Sequence, residues 1–288
     1  MGGRDPTAVD PAYCQYGEPG QAGALLITVP HAGREYPADL LARARVGLAG
    51  LQSLEDRHVD ALAAEAVAAG HCALIARRGR AIIDLNRHEG EMDGASVAAL
   101  PHGLPLRASA KLRGGLGVVP HRYHSLGDLW LRRPPYAEVA ERIRTIHRPW
   151  HARLAELLAA IRASHGAAIL LDLHSMPSIR GDDVDVVLCD RFGQSASRAI
   201  SASAAALIES HGFRVAVNAP YAGGYVLERH GRPQEGVHAL QLEIYRTLYL
   251  DATLDAPGPG VERCRRMVAD LAQMLGSAFE EPIPLAAE

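Results

Sequence analysis

No apolar run in this chain approaches the roughly 18 residues needed to span a bilayer. The opening stretch, MGGRDPTAVDPAYCQYGEPG, has no apolar core, so it does not read as a secretory signal. Cysteine is sparse and scattered. Cys14, Cys72, Cys189 and Cys264 form no CxxC pair, which excludes a cysteine-based zinc knuckle and fits a reduced, cytoplasmic protein. Neither sign of charge dominates: 30 basic against 33 acidic residues give a net charge of −3. That leaves no general affinity for nucleic acid or for an anionic membrane. Several catalytic signatures are absent as well. There is no GxSxG elbow, no P-loop, no HExxH and no GxGxxG at a strand–helix junction. Lysine is scarce and arginine abundant, a bias that reads as a GC-rich genome and carries no functional content.

What remains is a globular composition: 288 residues, 48% hydrophobic and 22% charged, with 14 histidines. Residues 1–22 read as an irregular leader, 23–280 as one domain and 281–288 as a tail. Residues 24–30 (ALLITVP) form a buried strand ending in a Pro-His-Ala-Gly turn. A helix is expected from Ser53, as N-cap, to Gly70, with Glu55 and Asp56 in its first turn. Residues 72–77 and 81–85 are strand-like. Residues 88–135, rich in Gly, Pro and His, form a functional loop or small subdomain. A long helix over 135–164, with an interruption at Pro149, precedes a buried strand at 167–173. Strands at 185–189, 214–217 and 240–245 and helices at 195–211 and 261–279 complete the chain. Strands alternating with helices imply a mostly parallel or mixed sheet with helices on both faces.

Polar residues cluster where the apolar strands end. His31 follows LLITVP, Asn86 and Arg87 follow AIIDL, His174 follows AILLDL, and Glu243 lies within LQLEIY. Ligands of open α/β sheets bind outside the carboxyl ends of the strands. Two strand-end histidines suit zinc, whose catalytic sites use three protein ligands and one open position. Asp172, two residues before His174, would orient that imidazole. The third ligand is expected in EDRHVD (55–60). Helical periodicity slightly favours Glu55 over Asp56 and does not decide between them. Asn86, Arg87 and Arg80 suit a carboxylate or a developing oxyanion. Glu243 is either a satisfied core acid or a general base with a tuned pKa. NAPYAGGY (218–225), with Gly223, Gly224 and Tyr225, reads as a substrate-contacting loop over the site.

The ordered set VPHAG (29–33), EDRHVD (55–60), IIDLNR (82–87), LLDLHSMPS (170–178) and NAPYAGGYVLERHG through GVHALQLEIYRTLYLD (218–251) resembles the N-formylglutamate amidohydrolases. LGVVPHRYHSLGDLWLRRPPY (116–136) is similar to that family's central region. The resemblance implies a three-layer α/β/α, phosphorylase/hydrolase-like fold akin to zinc carboxypeptidases and aspartoacylases. It implies one zinc per chain at His31, Asp56 and His174, with Asp56 preferred because it matches the family's D-x-H-x-D pattern. It also implies Glu243 as general base, and Arg80 and Arg87 at substrate carboxylates or the oxyanion. The implied partner is a small anionic N-acyl amino acid, N-formyl-L-glutamate first, as in histidine degradation. Two departures stand out. His31 has Arg34 three residues later, so the carboxypeptidase HxxE pair is absent. DLNR runs into His88-Glu89-Gly90-Glu91-Met92-Asp93, where the family usually has prolines. The alternatives are a related N-acyl deacylase or carboxypeptidase-like peptidase, and a non-catalytic binding module on the same fold.

Overall fold

The computed structural model describes residues 11–123, 125–178 and 183–279. Uninterrupted aliphatic runs make its central strands, as expected where both faces of a sheet are covered. The strands are β1 (Tyr13–Tyr16), β2 (Leu25–Val29), β3 (Cys72–Ala76), β4 (Arg122–Tyr123), β5 (Gly127–Asp128), β6 (Ala168–Met176), β7 (Val186–Cys189), β8 (Val215–Val217) and β9 (Val237–Tyr245). Seven form one sheet in the order β1-β3-β2-β6-β9-β7-β8, while β4 and β5 pair with each other. β1–β3 and β7–β9 are antiparallel; the other pairs of the large sheet are parallel. The helices are α1 (Ala38–Leu41), α2 (Gly47–Gln52), α3 (Val59–Leu62), α4 (Ala64–Ala68), α5 (Ala110–Arg113), α6 (Tyr136–Arg142), α7 (Arg148–His165), α8 (Arg198–Ser210), α9 (Tyr225–His230) and α10 (Val261–Gly276). This is the α/β/α arrangement with a mixed, mostly parallel sheet. No helix among the described residues is long and apolar enough to cross a membrane.

Side chains alternate between the two faces of each strand. Ile27, Leu171 and Leu242 face a layer built from α3, α4, α8 and α10. Leu26, Leu170 and Ala239 face the opposite layer, built around α6, α7 and α9. Along this second face the apolar series turns polar towards the carboxyl ends of the strands. Thr28 is level with Asp172, Asp172 with Gln241, and His174 with Glu243. Period-two alternation thus places the polar residues of three adjacent strands side by side.

Three expectations are corrected by the structure. The leader read as irregular contains β1, which pairs with β3; the tail at 281–288 lies outside the described residues. The helix expected to start at Ser53 is broken. Ser53 ends α2, residues 53–58 form a turn, and His58 is left-handed at φ 57° before α3 begins. Residues 81–85 form turns rather than a strand, although they are buried. The interruption near Pro149 is a π-turn, Ile143–His147. Proline lacks an N–H and its ring crowds the carbonyl four residues back, which a locally widened helix relieves.

Leu171 lies at the centre of the sheet and is fully buried. Leu171→Ala should lower stability by about 2–5 kcal/mol, the range for truncating a core leucine. A urea midpoint unchanged from wild type would show that the strand is not part of the cooperative core.

Candidate active site

Buried backbone without a strand partner needs hydrogen bonds from elsewhere. Residues 81–87 obtain them from side chains. Arg142 Nη1 donates to Ile82 O at 2.9 Å, His151 Nε2 to Leu85 O at 3.0 Å and His147 Nε2 to Arg87 O at 2.8 Å. His147 is set at this point by the π-turn. With its Nε2 spent on Leu85, His151 Nδ1 accepts the 2.9 Å bond from His230 Nε2. All three histidines are buried. Burial, the first cause in each case, holds them below the usual histidine range, and His230, also near Arg229 and Arg232, is pushed down to about 3.

The segment so braced delivers Asp84. Its carboxylate is fully buried and accepts from His31 Nε2 at 2.7 Å, Arg80 Nε at 2.8 Å and the Asn86 amide at 2.9 Å. Burial alone would raise this carboxyl; Arg80, His31 and Arg87 outweigh it and hold it well below the carboxylate range. Asp172 does the same for His174, accepting from Nε2 at 2.8 Å while Thr28 Oγ1 donates to its other oxygen at 2.8 Å. In both histidines Nε2 faces a carboxylate, so Nδ1 is turned inward. His174 Nδ1 lies 3.0 Å and His31 Nδ1 3.4 Å from Asp56 Oδ2. His31 Nδ1 is buried with no hydrogen-bond partner. Ligand atoms of His31, Asp56 and His174 all lie within 4.8 Å of one another, and these three form the one such group found among the described residues. Two imidazole nitrogens and a carboxylate are a donor set that suits zinc.

The acidic turn separates its two candidates. Glu55 is fully buried and satisfied, taking Tyr36 Oη at 2.7 Å and Arg57 Nη1 at 3.0 Å. Asp56 turns to the histidines, with its N–H on His31 O at 3.0 Å. Arg246 clamps the turn through Ser53 O and Glu55 O, and donates to Asp56 Oδ1 at 3.1 Å, leaving Oδ2 to the histidines. Burial is the first influence on Asp56 and would raise it. The neighbouring imidazoles of His174, which is hydrogen-bonded to it, and of His31 prevail and hold it well below the carboxylate range.

A cavity of about 610 Å³ opens over this cluster. Glu243 lines it and accepts from Gln241 Nε2 at 2.8 Å. Burial raises its carboxyl, aided by Asp56 and opposed by His174, His31 and Arg80, and the net direction is up. Arg80 and Arg87 line the same cavity, their Nε atoms 2.8 and 3.8 Å from Asp84 Oδ2. Asn86 is engaged internally, donating to Gln241 Oε1 at 3.2 Å and accepting from the Val226 amide at 2.8 Å. Gly223 and Gly224 line the cavity. Gly223 sits at φ 110°, and a Cβ on Gly224 would lie 2.3 Å from Asn86 Oδ1, so the loop can close on Asn86 only as glycine. Tyr225, expected to touch substrate, does not line the cavity. Its ring packs on His88, His147 and His151 and its hydroxyl accepts from Arg229. The neighbouring Tyr221 lines the cavity instead.

Four features went unread in the sequence. Gln241 carried a usable signal, being two residues before Glu243 on the same strand face. Arg246 and the His147–His151–His230 cluster carried none, because their partners, most of them backbone carbonyls, are remote in sequence. Lys111 lines the cavity, although the scarcity of lysine had seemed empty of meaning.

An α/β/α sheet whose carboxyl ends gather two histidines and a carboxylate, with a second carboxylate and two guanidinium groups around one cavity, defines a hydrolase with a site able to hold a metal ion. The chain belongs to the N-formylglutamate amidohydrolase family, whose sequence model matches residues 23–250. N-formylglutamate deformylase of Pseudomonas aeruginosa is 29% identical over 245 residues, covering 79% of this chain and 82% of the relative. The Pseudomonas putida deformylase is 27% identical over 253 residues, covering 80% and 82%. The crystal structure of N-formylglutamate amidohydrolase from Ralstonia eutropha JMP134 superposes with a TM-score of 0.85 at 30% identity, covering 93% of this chain and 98% of that one.

The histidine brace has a consequence for stability. Between pH about 6.5, the unfolded value, and their depressed folded values, the three histidines bind fewer protons folded than unfolded. Their contribution is therefore complete above pH about 6.5 and is lost as pH falls towards the folded values, about 3 for His230. Each adds up to about 1.4 kcal/mol per pH unit to the slope within its window. Urea unfolding at pH 7, 6 and 5 should give a shallower decline for His230→Gln than for wild type. Equal slopes would mean that His230 titrates alike in both states.

Proposed function

We propose that this protein hydrolyses the amide of an N-acyl amino acid, N-formyl-L-glutamate in the first place, giving formate and L-glutamate. The observation that carries the reading is the inward convergence of His31 Nδ1, His174 Nδ1 and Asp56 Oδ2 on the floor of a cavity lined by cations. His31, Asp56 and His174 are the residues that would hold one zinc ion. The unpartnered, buried Nδ1 of His31 supports that fit, because an uncompensated polar atom there is costly unless something binds it. When bound, zinc supplies a Lewis acid and lowers the pKa of water towards neutrality.

The chain's own groups would do the rest. Glu243 would take the proton of the attacking water and pass it to the amine nitrogen as the formyl C–N bond breaks and a C–O bond forms. Its raised carboxyl suits a group that must both accept and release a proton near neutral pH. Arg80, hydrogen-bonded to Asp84, and Arg87, 3.8 Å from it, line the cavity and would supply guanidinium N–H groups, one for the tetrahedral oxyanion and one for a substrate carboxylate. Asn86 would act on Gln241 and the Gly223-Gly224 loop rather than on substrate. The deformylase activity named for the two Pseudomonas relatives supports the substrate. A small anionic substrate, a cytoplasmic setting and a step of histidine degradation belong to the same proposal; nucleic acid and membranes have no part in it.

Two measurements test it. Metal analysis should find about one zinc per chain in wild type and in Glu55→Ala, and far less in His31→Ala, His174→Ala and Asp56→Ala. Zinc retained by Asp56→Ala and lost by Glu55→Ala would reverse the assignment of the third ligand. On a panel of N-formyl, N-acetyl and N-succinyl amino acids, wild type should turn over N-formyl-L-glutamate best.

Glu243→Gln isolates the base. It keeps the shape and can still accept from Gln241, so folding and zinc content should match wild type. Turnover should fall by about 10²–10⁴, the range for lost acid–base catalysis, with the loss in kcat rather than KM. A Glu243→Gln protein with wild-type kcat would sink the proposed role.

A further inference from the structure

Lys111 is the only lysine in a chain whose lysines and arginines total 30. Elsewhere arginine fills the exposed ion pairs, such as Arg43 with Glu138 and Arg148 with Glu89. Lysine differs from arginine in being a compact point charge on a flexible stem. The sole lysine lines the cavity, with Arg80 and Arg87.

Its setting is built. Lys111 lies on α5, and α5 is capped by Ser109, whose hydroxyl accepts the Leu112 amide at 3.0 Å and donates to Glu91 Oε2 at 2.6 Å. The other oxygen of Glu91 accepts the His88 amide at 3.0 Å. Leu112 is buried beside it. The unusual stretch after Asn86-Arg87 thus anchors the helix that carries Lys111 into the cavity. Arg80 and Arg87 stand beside Asp84 close to the His31 cluster, whereas the Lys111 ammonium has no ion pair or hydrogen bond among the described residues. Its one close feature is the Tyr221 ring, 5.0 Å from Nζ, which the Gly-rich loop supplies from the opposite side. Three cations therefore face three negative centres that a dicarboxylic N-acyl amino acid brings to the transition state: the oxyanion, the α-carboxylate and the side-chain carboxylate.

We infer that Lys111 is a specificity residue, its ammonium pairing with the side-chain carboxylate of an N-acyl dicarboxylic amino acid. The assignment rests on the deacylase reading above. It makes the cavity select an acidic side chain over its amide.

The test uses matched pairs on wild type, Lys111→Met and Lys111→Arg, all zinc-loaded: L-glutamate and L-glutamine by calorimetry, and N-formylglutamate and N-formylglutamine by turnover. Wild type should prefer the acidic member of each pair. Lys111→Met should lose about 10–100-fold on the acidic members, in Kd and KM rather than kcat, and little on the amides. Lys111→Arg should recover part of the loss. Melting temperatures should stay level, because Lys111 is exposed at the mouth of the cavity. Because Lys111 is the sole ε-amine, trinitrobenzenesulfonate labelling followed by mass should be slowed by glutamate and not by glutamine. Equal losses on both members, no loss on either, or a wild type indifferent to glutamate against glutamine would overturn the assignment. Glutamate binding that depends on Lys111 without any N-formyl hydrolysis would keep it and remove the deacylase reading instead.

Discussion

One buried carboxylate holds the site in order. Asp84 takes the N–H of His31, the Nε of Arg80 and the amide of Asn86, and lies beside Arg87. Burying a charge costs several kcal/mol unless it is fully paired. Here the pairing has effects beyond neutralisation. It fixes the His31 ring, so that Nδ1 faces Asp56. It fixes the Arg80 guanidinium by its Nε edge, and Asp84 lies 3.8 Å from the Nε of Arg87, so that both cations stand at the cavity. Without Asp84, the histidine would lose its orientation and the arginines their direction. Asp172 repeats the device for His174 from within the sheet, where Thr28 and the strand itself supply the rigidity.

Much of this was legible in the sequence, and the reason is strand periodicity. His31, His174 and Glu243 stand at strand ends or on the polar half of a strand face, where alternation and long apolar runs are informative. What escaped was whatever depends on contacts between distant segments. The 53–58 turn looks like a helix start because Ser53 and two acids imitate an N-cap. Arg246 and the bond from the Asp56 amide to His31 O break the helix there, and neither is visible in a helical wheel. That is also why periodicity leaned towards Glu55 while the fold turns Asp56 to the histidines. Residues 81–85 have strand composition but no strand. Their partners are side chains of Arg142, His147 and His151, so composition without a neighbour misleads.

The buried histidines show how an irregular segment can be made rigid. A strand at 81–87 would satisfy its backbone with another strand and would present alternate residues to opposite faces. Turns let Asp84, Asn86 and Arg87 all serve the cavity. The carbonyls released by that choice need donors, and neutral imidazole is a suitable one, giving a single N–H without a charge. Arginine supplies a donor at Ile82 as well, but its charge requires Glu138 beside it. The use of histidine at Leu85 and Arg87 keeps that part of the interior uncharged beside a site already dense with ions.

The division of labour follows from where each group sits. Groups that must hold position to a fraction of an ångström, His31, His174 and Glu243, are carried on or at the ends of the three central strands. Groups that line the cavity above them come from the flanks: Arg80 and Arg87 from the braced turns, Tyr221 and the two glycines from the loop after β8, Lys111 from α5. Changing the flanks leaves the donor set of the floor untouched. The His88–Asp93 stretch acts at that outer level. Through Glu91 and Ser109 it sets where α5 stands, and so which charge the rim offers, while the floor beneath keeps its histidines, its carboxylates and its chemistry.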